Sequence, residues 1–194
     1  MCVFFLCDPC VIKMEKQLKH ISKLISLVLR HQPEIIGLQL DANGWASVEA
    51  LIQKINAAGN DINFDILNTV VETNDKKRFA FNADKTMIRA SQGHSIEVEL
   101  NLKAVTPPDI LFHGTTDKFV AGILKDGILK QQRQHVHLSE LEDTAKAVGS
   151  RHGKPVILTI DAKAMRNNDF LFYLSENNVW LVDSVPVEYI TVGI

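Results

Sequence analysis

Residues 47–90 read SVEALIQKINAAGNDINFDILNTVVETNDKKRFAFNADKTMIRA, and the order of elements in this stretch decides the fold of the first half of the chain. Ser47 carries a hydroxyl that can accept a first-turn N–H, so it predicts the N-cap of a helix from Val48 to Ala58 that Gly59 terminates. A second helix is predicted over Phe64 to Glu72. Arg78-Phe79-Ala80-Phe81 and Met87-Ile88-Arg89-Ala90, joined by the polar turn Asn82 to Thr86, then predict a hairpin.

Upstream, Leu18, Ile21, Leu24, Ile25 and Val28 recur at helical spacing and predict a helix from Lys16 to Leu29. Pro33 forces it to finish near Arg30-His31, which sets two cationic side chains at a helix C-terminus. Leu38-Gln39-Leu40-Asp41 predicts a short strand and Asn43-Gly44 a turn. Helix, strand, two helices and a hairpin is the order of a winged helix.

Downstream, the alternating stretch Ile96 to Leu100 leads into Thr106-Pro107-Pro108, where helix is excluded, and marks the lobe boundary. Beyond it the pattern predicts a strand at Ile110 to Phe112, a helix from Asp117 to Lys125 closed by Gly127, and a strand at His135 to Leu138. Ser139 with Glu142 predicts a capping box for a helix running to Val148. Pro155 to Ile160, Asn178 to Val182 and Glu188 to Val192 supply further strands. The second lobe is thus strand-rich, but its spacing is too irregular for a doubly wound sheet and it has no Gly-x-Gly-x-x-Gly fingerprint.

The 194 residues are 46% hydrophobic and 23% charged, an ordinary globular composition that excludes wholesale disorder. A net charge of −2 argues against coating nucleic acid over a wide surface and confines any polyanion contact to a local basic site. Cys2, Cys7 and Cys10 all fall in the first ten residues, so the remainder builds its core without disulfides, and a reducing cytoplasm is the simplest compartment. Cys7-Asp8-Pro9-Cys10 has the spacing of half a zinc site or a redox pair, but no second pair follows it. No window reaches membrane-spanning length, and Met14 stands just before the first periodic residues, so residues 1–14 are expected to be an extension.

Arg133-Gln134-His135-Val136-His137-Leu138-Ser139 carries the densest chemical signal. Period-2 alternation would aim Arg133, His135 and His137 from one strand face and Gln134, Val136 and Leu138 from the other. Such a face needs an anion, a nucleotide or a metal to satisfy it. In Phe112-His113-Gly114-Thr115 a small residue would let backbone approach a ligand closely, with His113 and Thr115 offering hydrogen bonds. Each segment has a plainer reading as well. Cations at a helix end compensate its dipole, a histidine beside a glycine turn is commonly a loop residue, and Glu140 and Glu142 look committed to a helix start rather than to a metal.

Taken in order, Leu29 to Pro33, Asp75 to Phe79, Ile88-Arg89-Ala90-Ser91-Gln92-Gly93-His94-Ser95, Phe112 to Thr115 and Arg133 to Ser139 closely resemble the NAD-dependent RNA 2'-phosphotransferase family. The resemblance runs from about Leu18 to Tyr189 and includes Gly149-Ser150-Arg151-His152-Gly153 and Asn178-Val179-Trp180-Leu181. It implies an α+β fold, with a winged-helix RNA-binding lobe over residues 15–95, a linker over 96–108 and a β-rich lobe of the ADP-ribosyltransferase type over 109–194.

The activity implied is removal of an internal RNA 2'-phosphate, of the kind left at a tRNA splice junction, with NAD as co-substrate. The Arg-His-Arg-Arg set of the family maps onto Arg30, His31, Arg78 and Arg133, with the arginines holding phosphate and His31 acting as base or phosphate ligand. His113, Gly114 and Thr115 match its first NAD-binding segment and His137 with Ser139 its second, while Arg151 could reach a pyrophosphate oxygen. Asn178 departs from the family, which commonly has glycine there, and asparagine tolerates the left-handed backbone that such a position requires. No metal, no membrane and a monomer are expected. The competing readings are an ADP-ribosyltransferase acting on phosphorylated nucleic-acid ends, a non-catalytic module that senses NAD or RNA, and a metal-dependent phosphoesterase.

Overall fold

The structure, a computed structural model, describes residues 9–74, 76–151 and 153–193. Cys2 and Cys7 lie outside the described residues and Cys10 enters only as a backbone position, so the Cys7-x-x-Cys10 pair has no structural account. The chain divides into two compact units between Val98 and Glu99.

The first unit opens with helix α1 (Pro9–Arg30), which begins earlier than the periodic residues imply and ends where Pro33 requires. A short 3-10 turn (Pro33–Ile36) follows, closed by Gly37 in the left-handed region at φ 62°. Then come β1 (Ala46–Ser47), α2 (Val48–Ala57), α3 (Phe64–Glu72), β2 (Phe79–Phe81) and β3 (Met87–Ala90). The Ser47 hydroxyl accepts from Ala50 N–H at 3.3 Å and the Asn63 side chain from Ile66 N–H at 2.9 Å, so both helices start on side-chain caps. The strands form one antiparallel sheet in the order β1-β3-β2. Ile21, Ile25, Val28 and Leu29 of α1 pack with Leu51, Ile55, Leu67, Val70 and Ile88 in a single core.

The strand expected at Leu38 to Asp41 is not formed. Its alternation is real as burial, since Leu38 is buried and Gln39 exposed, but the partner edge of β3 is taken by Ala46 and Ser47. Asp41 instead turns the chain, its carboxylate accepting from the N–H groups of Asn43 and Trp45 at 2.9 Å each.

The second unit contains β4 (Ile110–Thr116), α4 (Asp117–Asp126), β5 (Ile128–Leu129), β6 (Val136–Leu138), α5 (Glu142–Gly149), β7 (Pro155–Asp161), α6 (Ala162–Asn167), β8 (Tyr173–Leu174), β9 (Trp180–Val182), β10 (Ser184–Val185) and β11 (Ile190–Val192). All ladders among the described residues are antiparallel, in the orders β11-β7-β4, β6-β9-β8 and β10-β5. A bridge between Phe112 and Ser139 joins β4 to the end of β6. Helix and sheet are therefore mixed as in an α+β protein. Leu111, Val136, Leu138, Leu158, Ile160, Phe172, Trp180 and Val182 fill the core.

Gly127 closes α4 at φ 79°, and Asn178 adopts φ 58°, the left-handed geometry expected of it. The capping box at Ser139 is not formed. Ser139 exchanges both backbone bonds with Phe112 at 2.8 Å, and α5 starts three residues on, after Leu141, with no side-chain cap. No described helix is long and apolar enough to cross a membrane.

Candidate functional site

In the first unit the candidate residues gather at the end of α1. Residues 91–95, which leave β3, tie two distant motifs to one stretch of backbone. Ser91 N–H donates to the Arg78 carbonyl at 2.9 Å and its hydroxyl to the Lys77 carbonyl at 2.9 Å. The Arg30 guanidinium donates to the same Arg78 carbonyl through Nη2 at 3.3 Å. Ser95 N–H donates to the Arg30 carbonyl at 2.9 Å, and its Oγ lies 2.9 Å from His31 Nδ1. The Arg78 backbone is thus brought to the Arg30 side chain, and the same 91–95 segment meets His31, although 48 residues separate Arg30 from Arg78.

His94 lies within this segment at 0% exposure, and neither of its ring nitrogens has a hydrogen-bond partner among the described residues. Burial, with Arg30, His31 and Arg89 close by, pushes its pKa down to about 4, so it is a neutral ring beside two arginines. Arg78 also lines a cavity of about 360 Å³ with Lys19, Ser22, Thr73, Asn74 and Lys76, and no carboxylate is among the lining residues described.

In the second unit the strand β6 is shorter than the alternation implies. Arg133, Gln134 and His135 precede it in a bend, so the single cationic strand face is not formed. Arg133 meets His137 across the bend instead, Nη1 to Nδ1 at 3.3 Å. A guanidinium only donates, so His137 Nδ1 is the acceptor and its proton sits on Nε2. His113 on β4 donates from Nδ1 to the His137 carbonyl at 3.0 Å, which leaves its Nε2 as an acceptor. Burial lowers the His113 pKa, the bond to the His137 carbonyl partly opposes this and Arg133 adds to it, so the ring is neutral. His135 turns away to stack edge-on against Tyr173, with ring centroids 5.8 Å apart. Its pKa is lowered chiefly by burial.

The close approach that Gly114 permits is made by α5. A Cβ on Gly114 would stand 1.7 Å from the Ala145 carbonyl oxygen, and one on Gly149 2.6 Å from the Thr115 carbonyl oxygen. Thr115 is 8% exposed beneath this helix. Ser139 is held by backbone pairing, and Arg151 is exposed in the turn after α5. No group of three or more His, Cys, Asp or Glu side chains among the described residues is arranged to hold a metal ion.

Ser91, His94 and Ser95 stand in the 88–95 motif, yet nothing in the sequence assigns them a role. The hydroxyl partners of the two serines lie 14 and 64 residues away and leave no trace in local spacing.

The model of the RNA 2'-phosphotransferase, Tpt1 / KptA family matches residues 16–184. A Flavobacterium johnsoniae protein described as "Probable RNA 2'-phosphotransferase" is 60% identical over 172 residues, covering 89% of this chain and 94% of its own length. Proteins of the same description from Fusobacterium nucleatum subsp. nucleatum and Hahella chejuensis are 56% and 55% identical, covering 88% and 92% of this chain and 96% of their own length in each case. With the family model spanning residues 16–184 and relatives this similar over most of the chain, the chain belongs to the RNA 2'-phosphotransferase, Tpt1 / KptA family.

Proposed function

We propose that the protein transfers an internal 2'-phosphate of RNA, such as that of a tRNA splice junction, to NAD in two steps, with the first unit a winged-helix RNA-binding lobe and the second an NAD-binding lobe of the ADP-ribosyltransferase type. The observation that carries this reading is the gathering of Arg30, His31 and Arg78 on the 91–95 segment, in a chain of this family. Arginine forks and an imidazole are groups that suit a phosphate better than any neutral ligand.

A phosphate monoester has a second pKa of about 6, so it is largely dianionic at neutral pH and needs no general base to attack. In the first step its oxygen bonds to the ribose carbon that bears nicotinamide, and nicotinamide leaves as a neutral molecule. Arg30, Arg78 and Arg133 are assigned to the phosphate oxygens, where forked donors set the angle of attack. In the second step the ribose 2''-hydroxyl attacks phosphorus and the RNA 2'-oxygen departs. The products are RNA with a 2'-hydroxyl and ADP-ribose 1'',2''-cyclic phosphate. This step moves a proton, and His31 is assigned to it.

For the nucleotide, the second unit supplies donors and acceptors of the right kind. Arg133 and Arg151 are exposed cations for a pyrophosphate, and the neutral rings of His113 and His137 have protonation states fixed by their partners. The cavity lined by Lys19, Lys76 and Arg78 suits RNA phosphate on the first unit.

The test is incubation with a short RNA bearing one internal 2'-phosphate, with and without NAD, followed by mass analysis of both products. NAD-dependent loss of phosphate with the cyclic product is expected. A persistent ADP-ribosyl adduct would replace the reading with an ADP-ribosyltransferase, and binding without NAD consumption would replace it with a sensing module.

A further inference from the structure

We infer that Ser95 is a positioning residue that holds the proton of His31 on Nδ1 and so directs proton uptake to Nε2. The inference rests on the role proposed for His31 in the second step. Three observations carry it. Ser95 grips two consecutive residues at once, its N–H on the Arg30 carbonyl and its hydroxyl on the His31 ring, both at 2.9 Å. The Arg30 carbonyl is one of the last of α1, which a helix leaves without an internal partner, so this bond satisfies a carbonyl at the helix end. The segment that carries Ser95 is anchored on both counts, the preceding His94 being wholly buried and Ser91 bonded to Lys77 and Arg78.

The chemistry of the pair selects one arrangement. A serine hydroxyl can accept from an imidazole N–H or donate to a bare ring nitrogen. When it accepts from Nδ1–H, Nε2 is the nitrogen that can take a proton. The same bond then persists in the imidazolium, so uptake needs no rotation of the hydroxyl. When it donates to Nδ1, Nε2 already carries hydrogen and the ring can only bind phosphate. The first arrangement serves both protonation states that a base passes through. In the second step the net transfer is from the ribose 2''-hydroxyl to the departing RNA 2'-oxygen, by way of Nε2. Ser95 thus does for His31 what a carboxylate or carbonyl does in other orienting pairs, fixing the tautomer from the far side of the ring.

The experiment uses the full chain with nitrogen-15 in its histidines. In the wild-type protein the neutral His31 ring is expected to give the nitrogen shifts of the Nδ1–H tautomer. The Nε2–H pattern would overturn the inference, with no variant required. In Ser95→Ala that signature should be lost. Single-turnover kinetics should show the second step slowed roughly ten- to a hundredfold while nicotinamide release changes little, and Ser95→Thr should restore both. Equal slowing of the two steps, or an unchanged ring signature in Ser95→Ala, would overturn it. Absence of NAD consumption by the wild-type chain would instead sink the proposed function, and the ring signature would still judge Ser95.

Discussion

The two units place arginine beside histidine in different ways, and the partners decide what each imidazole can do. In the second unit His113 donates to a carbonyl and His137 accepts from a guanidinium. Neither partner can reverse its role, so each ring is confined to one tautomer. In the first unit His31 faces a hydroxyl, which can do either. A carbonyl or a guanidinium sets the tautomer by its own chemistry, whereas a hydroxyl sets it only through the backbone that holds the serine in place. The first unit also buries the His94 ring with no hydrogen bond among the described residues, while the half-buried His113 ring of the second is satisfied at Nδ1.

The sharpest way to break the comparison is Gly114→Ala. The added carbon would collide with the backbone of α5, which cannot swing aside as a side chain could. A destabilisation of about 3 kcal/mol or more is expected in chemical denaturation, beyond the usual cost of overpacking. Gly59→Ala in the first unit meets nothing within 4 Å and is strained only by φ 86°, so it should cost about 1 kcal/mol. Equal destabilisation in the two variants would mean that α5 does not bear on β4 as described.

Acid titration tests two rings whose pKa burial lowers, His94 and His113. The folded pKa of His94 lies at about 4 against an ordinary 6.5, so the unfolded chain binds the extra proton between these values. Its contribution is therefore complete above pH 6.5 and falls as pH drops towards 4, by about 3 kcal/mol in all. Denaturation midpoints of His94→Phe should depend less on pH in that window, and an unchanged slope would show that His94 does not set it. His113, also depressed, should add a decline of the same sign in the second unit.

Arg133→Lys keeps the charge and removes the fork, so a fall of roughly tenfold or more in turnover is expected, with folding intact by circular dichroism. Near-normal turnover would show that a point charge suffices. The smallest effect concerns the cavity beside Arg78. Lys19→Ala with Lys76→Ala should flatten the salt dependence of RNA binding by about 0.7 in log–log slope for each phosphate that is no longer neutralised. An unaltered slope would remove RNA from that cavity.

Much of the frame is legible in the sequence because its causes are local. Ser47 caps α2, Gly127 stops α4 and Pro33 ends α1, each through chemistry contained within a few residues. The expectations that fail have one physical source, namely pairing between distant segments. Leu38 to Asp41 has the alternation of a strand, yet alternation fixes burial and leaves the choice of partner open. Ser139 has the spacing of a capping box, but a bridge to Phe112 outweighs it. Helix α6 is hidden in the sequence, although Asp161 caps it by accepting from Ala164 N–H at 2.8 Å, because the strand pattern of β7 runs straight into it. In the candidate site, Arg30 and His31 can be placed at a helix end from sequence, whereas the serine that holds them, 64 residues from His31, cannot.

The 91–95 segment also bears on the order of events during synthesis. Helix α1 is complete in sequence by Arg30, but the bonds that fix Arg30, His31 and Arg78 come from residues that leave the ribosome much later. A nascent chain that has not yet released Ser95 can form the helix but not its clamp. The cationic set of the first unit therefore matures in the last moments of that unit's folding, and a chain truncated before Ser91 would carry the motif residues without the arrangement that gives them use.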